Sequence, residues 1–366
     1  MTAPRCLELF AGAGGAALGL GAAGLEHAAL CEWDRHACAT LRAAGLGPVV
    51  EGDVRALDAI AAVAGESVDV LWSSFPCQAW SIIGERLGAR DERNGWPWTM
   101  AAVDRFKPAW FLGENVRGLL LHRSGCTAAG GQRGLFGTAP AEDCPGCYFE
   151  RVILPDLRRR FAFAGWWLLN AADFGVPQRR YRVILWAGPA PLTAPVPTHG
   201  PGRARGWVSM REALGVEAFC FATHPEGAEG VADRRVRRLS DGPCPTIGAE
   251  YTGTLAGHPW VGSAFYPRGR HGALAWEEVS LDSPANAIGC NPGSCGVPWV
   301  DAAVATGRRR LTVAECARLQ DFPAGHPWQG GVGAQYRQVG NAVPPRLAEV
   351  VGRALMTAIE GVRGLS

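Results

Sequence analysis

The sequence predicts an α/β protein: a doubly wound sheet with a second, smaller irregular/β domain. Short apolar runs alternate with helical patterns from the N-terminus to about Gly188. A glycine-rich turn joins the first apolar run to the first helical pattern. Composition then shifts at Gly188-Pro189-Ala190-Pro191. The chain stays rich in Gly, Pro and Trp, without helical periodicity until Thr312.

Cys6-Leu7-Glu8-Leu9-Phe10 reads as a buried strand. Ala11-Gly12-Ala13-Gly14-Gly15-Ala16-Ala17 follows and runs into a helical stretch through Leu18-Gly19-Leu20. Gly12, Gly14 and Ala17 fit G-x-G-x-x-G/A, the Rossmann-like spacing. Glycines there permit a tight turn and close backbone approach to a ligand. Leu25 to Cys31 reads as the second strand, and Glu32 at its end is placed to bond ribose hydroxyls. Trp33 and Phe10 are either covers for an adenine or core aromatics. Gly47 to Glu51 reads as a third strand ending at Gly52-Asp53-Val54. Asp53 is either an acceptor for an adenine amino group or a solvated turn residue. On these residues alone, a nicotinamide dehydrogenase is a legitimate reading.

Val68-Asp69-Val70-Leu71-Trp72 reads as the next buried strand, followed by Phe75-Pro76-Cys77-Gln78. Pro76 ends it and leaves Cys77 at its carboxyl end, where open α/β sheets place ligands and chemistry. Cys77 is a candidate covalent nucleophile; a small buried hydrophobe is the alternative.

The composition sets the context. A chain of 366 residues, 48% hydrophobic, suits one large domain plus a smaller one. The formal net charge of +2 says little. Lys107 is the sole lysine among 36 basic residues. Arginines cluster at Arg158 to Arg160, Arg234 to Arg238 and Arg308 to Arg310, by compositional bias or for phosphate and guanine contact. Twelve unevenly spaced cysteines argue for a reducing cytoplasm with free or metal-bound thiols. No run resembles a transmembrane helix or a signal peptide, so a cytoplasmic protein is expected.

Taken in order, these pieces resemble the DNA (cytosine-5) methyltransferase family along nearly the whole length. Leu9-Phe10-Ala11-Gly12-Ala13-Gly14-Gly15 resembles its cofactor loop, and Pro76-Cys77-Gln78 with Ala79-Trp80-Ser81 its nucleophile motif. Glu114-Asn115-Val116, after the strand Trp110 to Leu112, resembles its Glu-Asn-Val motif. Gln178-Arg179-Arg180-Tyr181-Arg182, before the strand Val183 to Trp186, resembles its Gln-Arg-x-Arg motif. Arg310-Leu311-Thr312 with Glu315 to Pro323 resembles its late helical motif, and Gln338-Val339-Gly340-Asn341-Ala342-Val343-Pro344 its closing motif.

The resemblance implies S-adenosylmethionine as cofactor, lined by Phe10, Gly12, Gly14, Glu32, Trp33, Asp53, Val54, Pro76, Asn341 and Val343. It implies double-stranded DNA as partner, contacted by Gln78, Ser81 and Thr246. A monomer is expected, with a restriction endonuclease acting on the same site as a further partner. Carbon 5 of cytosine is a poor nucleophile until the Cys77 thiolate adds to carbon 6. Glu114 then contacts ring nitrogen 3 and the exocyclic amine, stabilising charge as Cys77 adds. Arg182 is a candidate for the cytosine carbonyl oxygen, and Arg180 for Glu114 or a phosphate. The target base must leave the stack. Ser81 to Trp98, polar and with Gly84, Gly88 and Gly95, resembles the family's mobile loop.

The resemblance also divides the chain. Residues 1–189 plus 331–366 form the catalytic domain, and 190–330 the target recognition domain, with a closing helix from about Pro345 to Glu360. Leu239 to Gly248 echoes Leu281 to Gly289; both look like Pro-x-x-Thr-Ile segments, and Thr246 is the matching threonine. One insertion departs from the family pattern. His122-x3-Cys126 and Cys144-Pro145-Gly146-Cys147 are spaced for a closed Cys3His structural zinc site, or are free cysteines in a loop. Methylation of cytosine in RNA and a silent DNA-binding homologue are the competing readings. Intact Cys77, Glu114, Arg180 and Arg182 argue against the second.

Overall fold

The computed structural model describes residues 2–76, 94–122, 126, 144–214, 263–268, 275–280, 285–286, 299–301 and 308–364, with 263–310 described by backbone only. Cys77, Gln78, Ser81 and Thr246 lie outside the described residues.

Alternation within the buried strands decides the architecture. Strand β1 (Arg5–Leu9) sends Leu7 and Leu9 into one core, with Ala29 and Cys31 of β2 (Glu26–Glu32). That core is completed by helices α3 (Leu57–Ala64) and α4 (Trp96–Phe106). Leu30 of β2 packs instead with Ala17 of α1 (Gly15–Ala22) and Leu41 of α2 (Arg35–Ala43). Both faces are covered, as buried parallel strands require.

Strands β3 (Val49–Glu51), β4 (Val70–Ser73), β5 (Trp110–Val116), β6 (Phe163–Asn170) and β8 (Tyr181–Gly188) complete a seven-stranded sheet of order β3-β2-β1-β4-β5-β8-β6. Strands β3, β2, β1, β4 and β5 run parallel, so their carboxyl ends share one edge; β8 is antiparallel to β5. The order reverses between β1 and β4, which makes that edge the place where a ligand binds.

Between β5 and β6, a short turn leads to α5 (Pro145–Tyr148), a π-helical turn and α6 (Leu154–Arg160). The remaining elements are β7 (Gln178–Arg179), α7 (Met210–Leu214), β9 (Ser263–Arg268), β10 (Ala275–Ser280), β11 (Ala285–Asn286), β12 (Trp299–Asp301), β13 (Arg308–Arg310), α8 (Val313–Leu319), α9 (Val332–Asn341) and α10 (Pro345–Arg363).

Several bounds differ from the sequence reading. Glu114-Asn115-Val116 lies inside β5, because pairing with β8 extends the strand through it. Trp96 to Trp98 is not loop but the first turn of α4, with Pro97 in its first turn and Trp96 buried. Phe10 is outside β1, ended by a φ of 57°. Helix α7 falls where no helical periodicity was expected.

The chain forms two compact units: 1–169, 181–196 and 348–366 in the first, 170–180 and 197–347 in the second. The sequence division differs at 170–180, 190–196 and 331–347. Residues 170–180 join the second unit because Gln178 and Arg180 bond to the backbone around Leu319, Gly340 and Ala342.

Candidate active site

The turn after β1 is built around Glu32. Its carboxylate accepts the Gly12 N–H at 2.8 Å and the Trp33 and Asp34 N–H groups at 2.9 and 2.8 Å. Burial pushes the Glu32 carboxyl up, and these N–H bonds oppose that push. Gly12 and Gly14 both have positive φ, 56° and 88°, for different reasons. A Cβ on Gly12 would meet nothing within 4 Å, so its face is open to a ligand. A Cβ on Gly14 would collide with Leu46 and Leu41, so this glycine seats α1 against the chain after α2. Trp33 is 79% exposed beside the turn. An open glycine face, a carboxylate at the strand end and an exposed indole fit a nucleoside-bearing cofactor.

Asp53 and buried Val54 follow β3 on the same edge. The Asp53 carboxylate accepts bonds from the Arg55 backbone N–H and guanidinium at 2.9, 2.9 and 2.6 Å, which hold it below the usual carboxylate range.

The ends of β4 and β5 are tied side by side. Asn115 Nδ2 donates to the Phe75 carbonyl at 3.0 Å, a buried bond two residues before Cys77. Ser73 and Thr99 hydroxyls lie 2.8 Å apart beneath it. Gly95 closes against this end: a Cβ there would come within 2.6 Å of Pro76 Cδ and 3.0 Å of Phe10 Cζ. Asn115 is a residue that sequence reasoning left without a role of its own, and Gly95 was read only as part of a mobile loop. Asn115 was visible inside its motif, and Gly95 as a glycine directly before a helix.

Glu114 is buried and meets Arg182 Nε at 2.6 Å across the β5–β8 pairing. Arg182 also donates to the Tyr181 carbonyl at 2.8 Å. Arg182 thus makes the Glu114 ion pair, a role the sequence had offered to Arg180. Arg180 belongs to the second unit, where it donates to the Gly340 and Ala342 carbonyls at 2.7 and 3.0 Å. The closing-motif residues Asn341, exposed, and Val343, buried, are in that unit too.

Near the glycine turn, burial pushes the Cys31 and Cys38 thiols up to about 12. They remain thiols at neutral pH and are poor nucleophiles. After β5, His122, Cys126, Cys144 and Cys147 converge, their ligand atoms all within 4.8 Å of one another.

The chain is similar to known methyltransferases in sequence and in fold. A family model described as C-5 cytosine-specific DNA methylase matches residues 4–130 and 282–357. The chain is 32% identical over 361 residues to Type II methyltransferase M.Eco47II of Escherichia coli, covering 97% of this chain and 79% of that protein. It is 31% identical over 353 residues to Type II methyltransferase M.PspPI of Psychrobacter sp., covering 96% and 78%. Among solved structures, a DNA modification methyltransferase encoded within an E. coli prophage superposes with a TM-score of 0.60 at 19% identity, covering 98% of this chain and 100% of that one. S. pombe Dnmt2 methyltransferase gives 0.59 at 14%, covering 98% and 99%.

Proposed function

The chain belongs to the C-5 cytosine-specific DNA methylase family, and from that premise we propose how its residues divide the reaction. The enzyme methylates carbon 5 of cytosine in DNA, using S-adenosylmethionine. When bound, that cofactor supplies an electrophilic sulfonium methyl group. Gly12 would give it backbone access, Glu32 would accept hydrogen bonds from its ribose hydroxyls, and Trp33 and Phe10 would hold its base.

Cys77 adds as thiolate to carbon 6 of a cytosine flipped from the duplex, at a cost of a few kcal/mol for unstacking. Addition breaks the ring's aromaticity and makes carbon 5 nucleophilic. Glu114 donates to or protonates ring nitrogen 3, taking up the charge that develops as the carbon–sulfur bond forms. Arg182 fixes the Glu114 carboxyl. Once carbon 5 bears the methyl group that the cofactor would supply, loss of its proton expels Cys77 and leaves 5-methylcytosine.

The observation that carries this reading is the bond from Asn115 to the Phe75 carbonyl at 3.0 Å. It holds the strand bearing Glu114 beside the backbone that leads, two residues on, to Cys77. The bond ties the ends of β4 and β5 together, with Glu114 on one and the backbone leading toward Cys77 on the other.

A duplex carrying 5-fluorocytosine at the recognised site tests it. Fluorine cannot leave carbon 5 as a cation, so the reaction stalls with Cys77 attached. A denaturant-resistant adduct is expected only with S-adenosylmethionine present, and none in Cys77→Ala. An adduct in Cys77→Ala that maps to another cysteine would overturn the assignment.

The names of the relatives M.Eco47II and M.PspPI support a type II modification role, with a restriction endonuclease sharing the site. Residues 190–307 choose that site in double-stranded DNA. A second part of the cofactor reading is a structural zinc ion at His122, Cys126, Cys144 and Cys147, outside the reaction.

A further inference from the structure

We propose that these four residues close a tetrahedral zinc centre through His122 Nδ1, and that Glu150 fixes the ligating nitrogen. The inference rests on the zinc reading above and deepens it. His122 Nδ1 lies 3.6 Å from both Cys144 Sγ and Cys147 Sγ, and Cys126 Sγ lies 3.3 Å from Cys147 Sγ. A tetrahedral ion with zinc–sulfur bonds of about 2.3 Å sets its sulfurs ~3.8 Å apart, close to this spacing. A disulfide would need ~2.05 Å, and none of the three cysteines is in one. All three are at most 1% exposed. Three buried sulfurs and one imidazole nitrogen converging within 4.8 Å offer zinc its usual donor set.

The other face of the ring is also engaged. His122 Nε2 stands 3.3 Å from Glu150 Oε1. With Nε2–H donating to that carboxylate, Nδ1 carries the lone pair toward the sulfurs. Zinc-ligating histidines almost always have such an acceptor, which fixes the tautomer and raises ligand basicity. Gly146 makes the approach possible: a Cβ there would lie 2.9 Å from His122 Cδ2 and Nε2. Its N–H donates to the Leu121 carbonyl at 3.2 Å, pinning the two arms of the site together.

The centre has a place in the architecture of the first unit. His122 follows β5 by one short turn, Arg117–Leu120, and β5 carries Glu114. Cys144 and Cys147 open the helical segment that leads through α6 into β6. The ion therefore ties the far side of the insertion to the strand bearing the reacting carboxyl. Four protein ligands leave no open position, so the role is structural.

Metal analysis of the full chain, purified without chelator, should give one zinc per chain and no stoichiometric iron. Cobalt exchanged into the site should show the visible bands of a tetrahedral thiolate-rich centre. Cys144→Ser/Cys147→Ser should lose both; should that variant fail to fold, Glu150→Gln carries the test. In Glu150→Gln, competition with a chromophoric chelator should show zinc held 10–100-fold more weakly. No metal in the parent, or an octahedral cobalt spectrum, would overturn the centre. Stoichiometric zinc with unchanged affinity in Glu150→Gln would overturn only the role of Glu150. Neither readout depends on methylation, so failure here is separate from failure of the methyltransferase assignment.

Discussion

Two buried carboxylates, Glu114 and Glu8, are handled in opposite ways. Glu114 has a guanidinium 2.6 Å away. Arg182→Ala would take the guanidinium away from a buried carboxylate, a change that costs about 3–5 kcal/mol, and a lowered melting temperature should report it. Glu114→Gln keeps the shape but removes the acid, so methylation should slow by about 10²–10⁴-fold while DNA binding persists; an unchanged rate would exclude Glu114 from proton transfer. Glu8 has no hydrogen-bond partner for either oxygen among the described residues. Burial, then the negative Glu32, push its carboxyl well above the ordinary 4.5. A raised carboxylate binds its proton in the folded state while the unfolded chain has lost it. Stability is therefore full below about pH 4.5 and falls as pH rises toward the folded value, by up to about 1.4 kcal/mol per pH unit. Urea unfolding of Glu8→Gln should show a flatter pH dependence than the parent as pH rises above about 4.5; equal slopes would refute the assignment. Sequence reading found Glu114 from its motif. It did not single out Arg182 as the partner, because only the antiparallel β5–β8 pairing decides which arginine faces the strand.

At the scale of elements, the strands were legible because parallel strands buried on both faces read as unbroken apolar runs. The same rule explains the failures. Glu114 and Asn115 interrupt the run and hid the carboxyl half of β5. Trp96-Pro97-Trp98 was read as loop, although a proline in the first turn is a helix start. Helix α7 is too short, five residues, to display a period. Periodicity placed the start of helical structure at Thr312, and there Thr312 and Glu315 form a reciprocal capping box at α8. Gly95 is the joint between α4 and the end of β4. Gly95→Ala should push on Pro76 and Phe10 together, destabilising by about 1–3 kcal/mol as overpacking does. Weaker S-adenosylmethionine binding by calorimetry should accompany the lower melting temperature. Normal binding and stability would show that the joint yields freely.

At the scale of the whole molecule, the composition shift after Gly188 lies near the observed division at 196/197. What composition could not show is that the Gln-Arg-x-Arg motif is split between units, with Arg180 in the second and Arg182 in the first. Site choice is the prediction that belongs here. Replacing residues 190–307 with the equivalent segment of a relative that methylates a different sequence should transfer that sequence preference, read by bisulfite sequencing. An active chimera that keeps the original site would refute it. The first unit is also closed by a distant piece of chain. Gly352 of α10 lies where a Cβ would stand 2.7 Å from Ala23 and 3.3 Å from Leu20, so the closing helix rests directly on α1. During synthesis that helix leaves the ribosome only after the entire second unit. At the usual pace of translation, about 5–20 residues per second, α1 waits some tens of seconds for its cover, a window in which a nascent chain of this protein offers its first helix to chaperones.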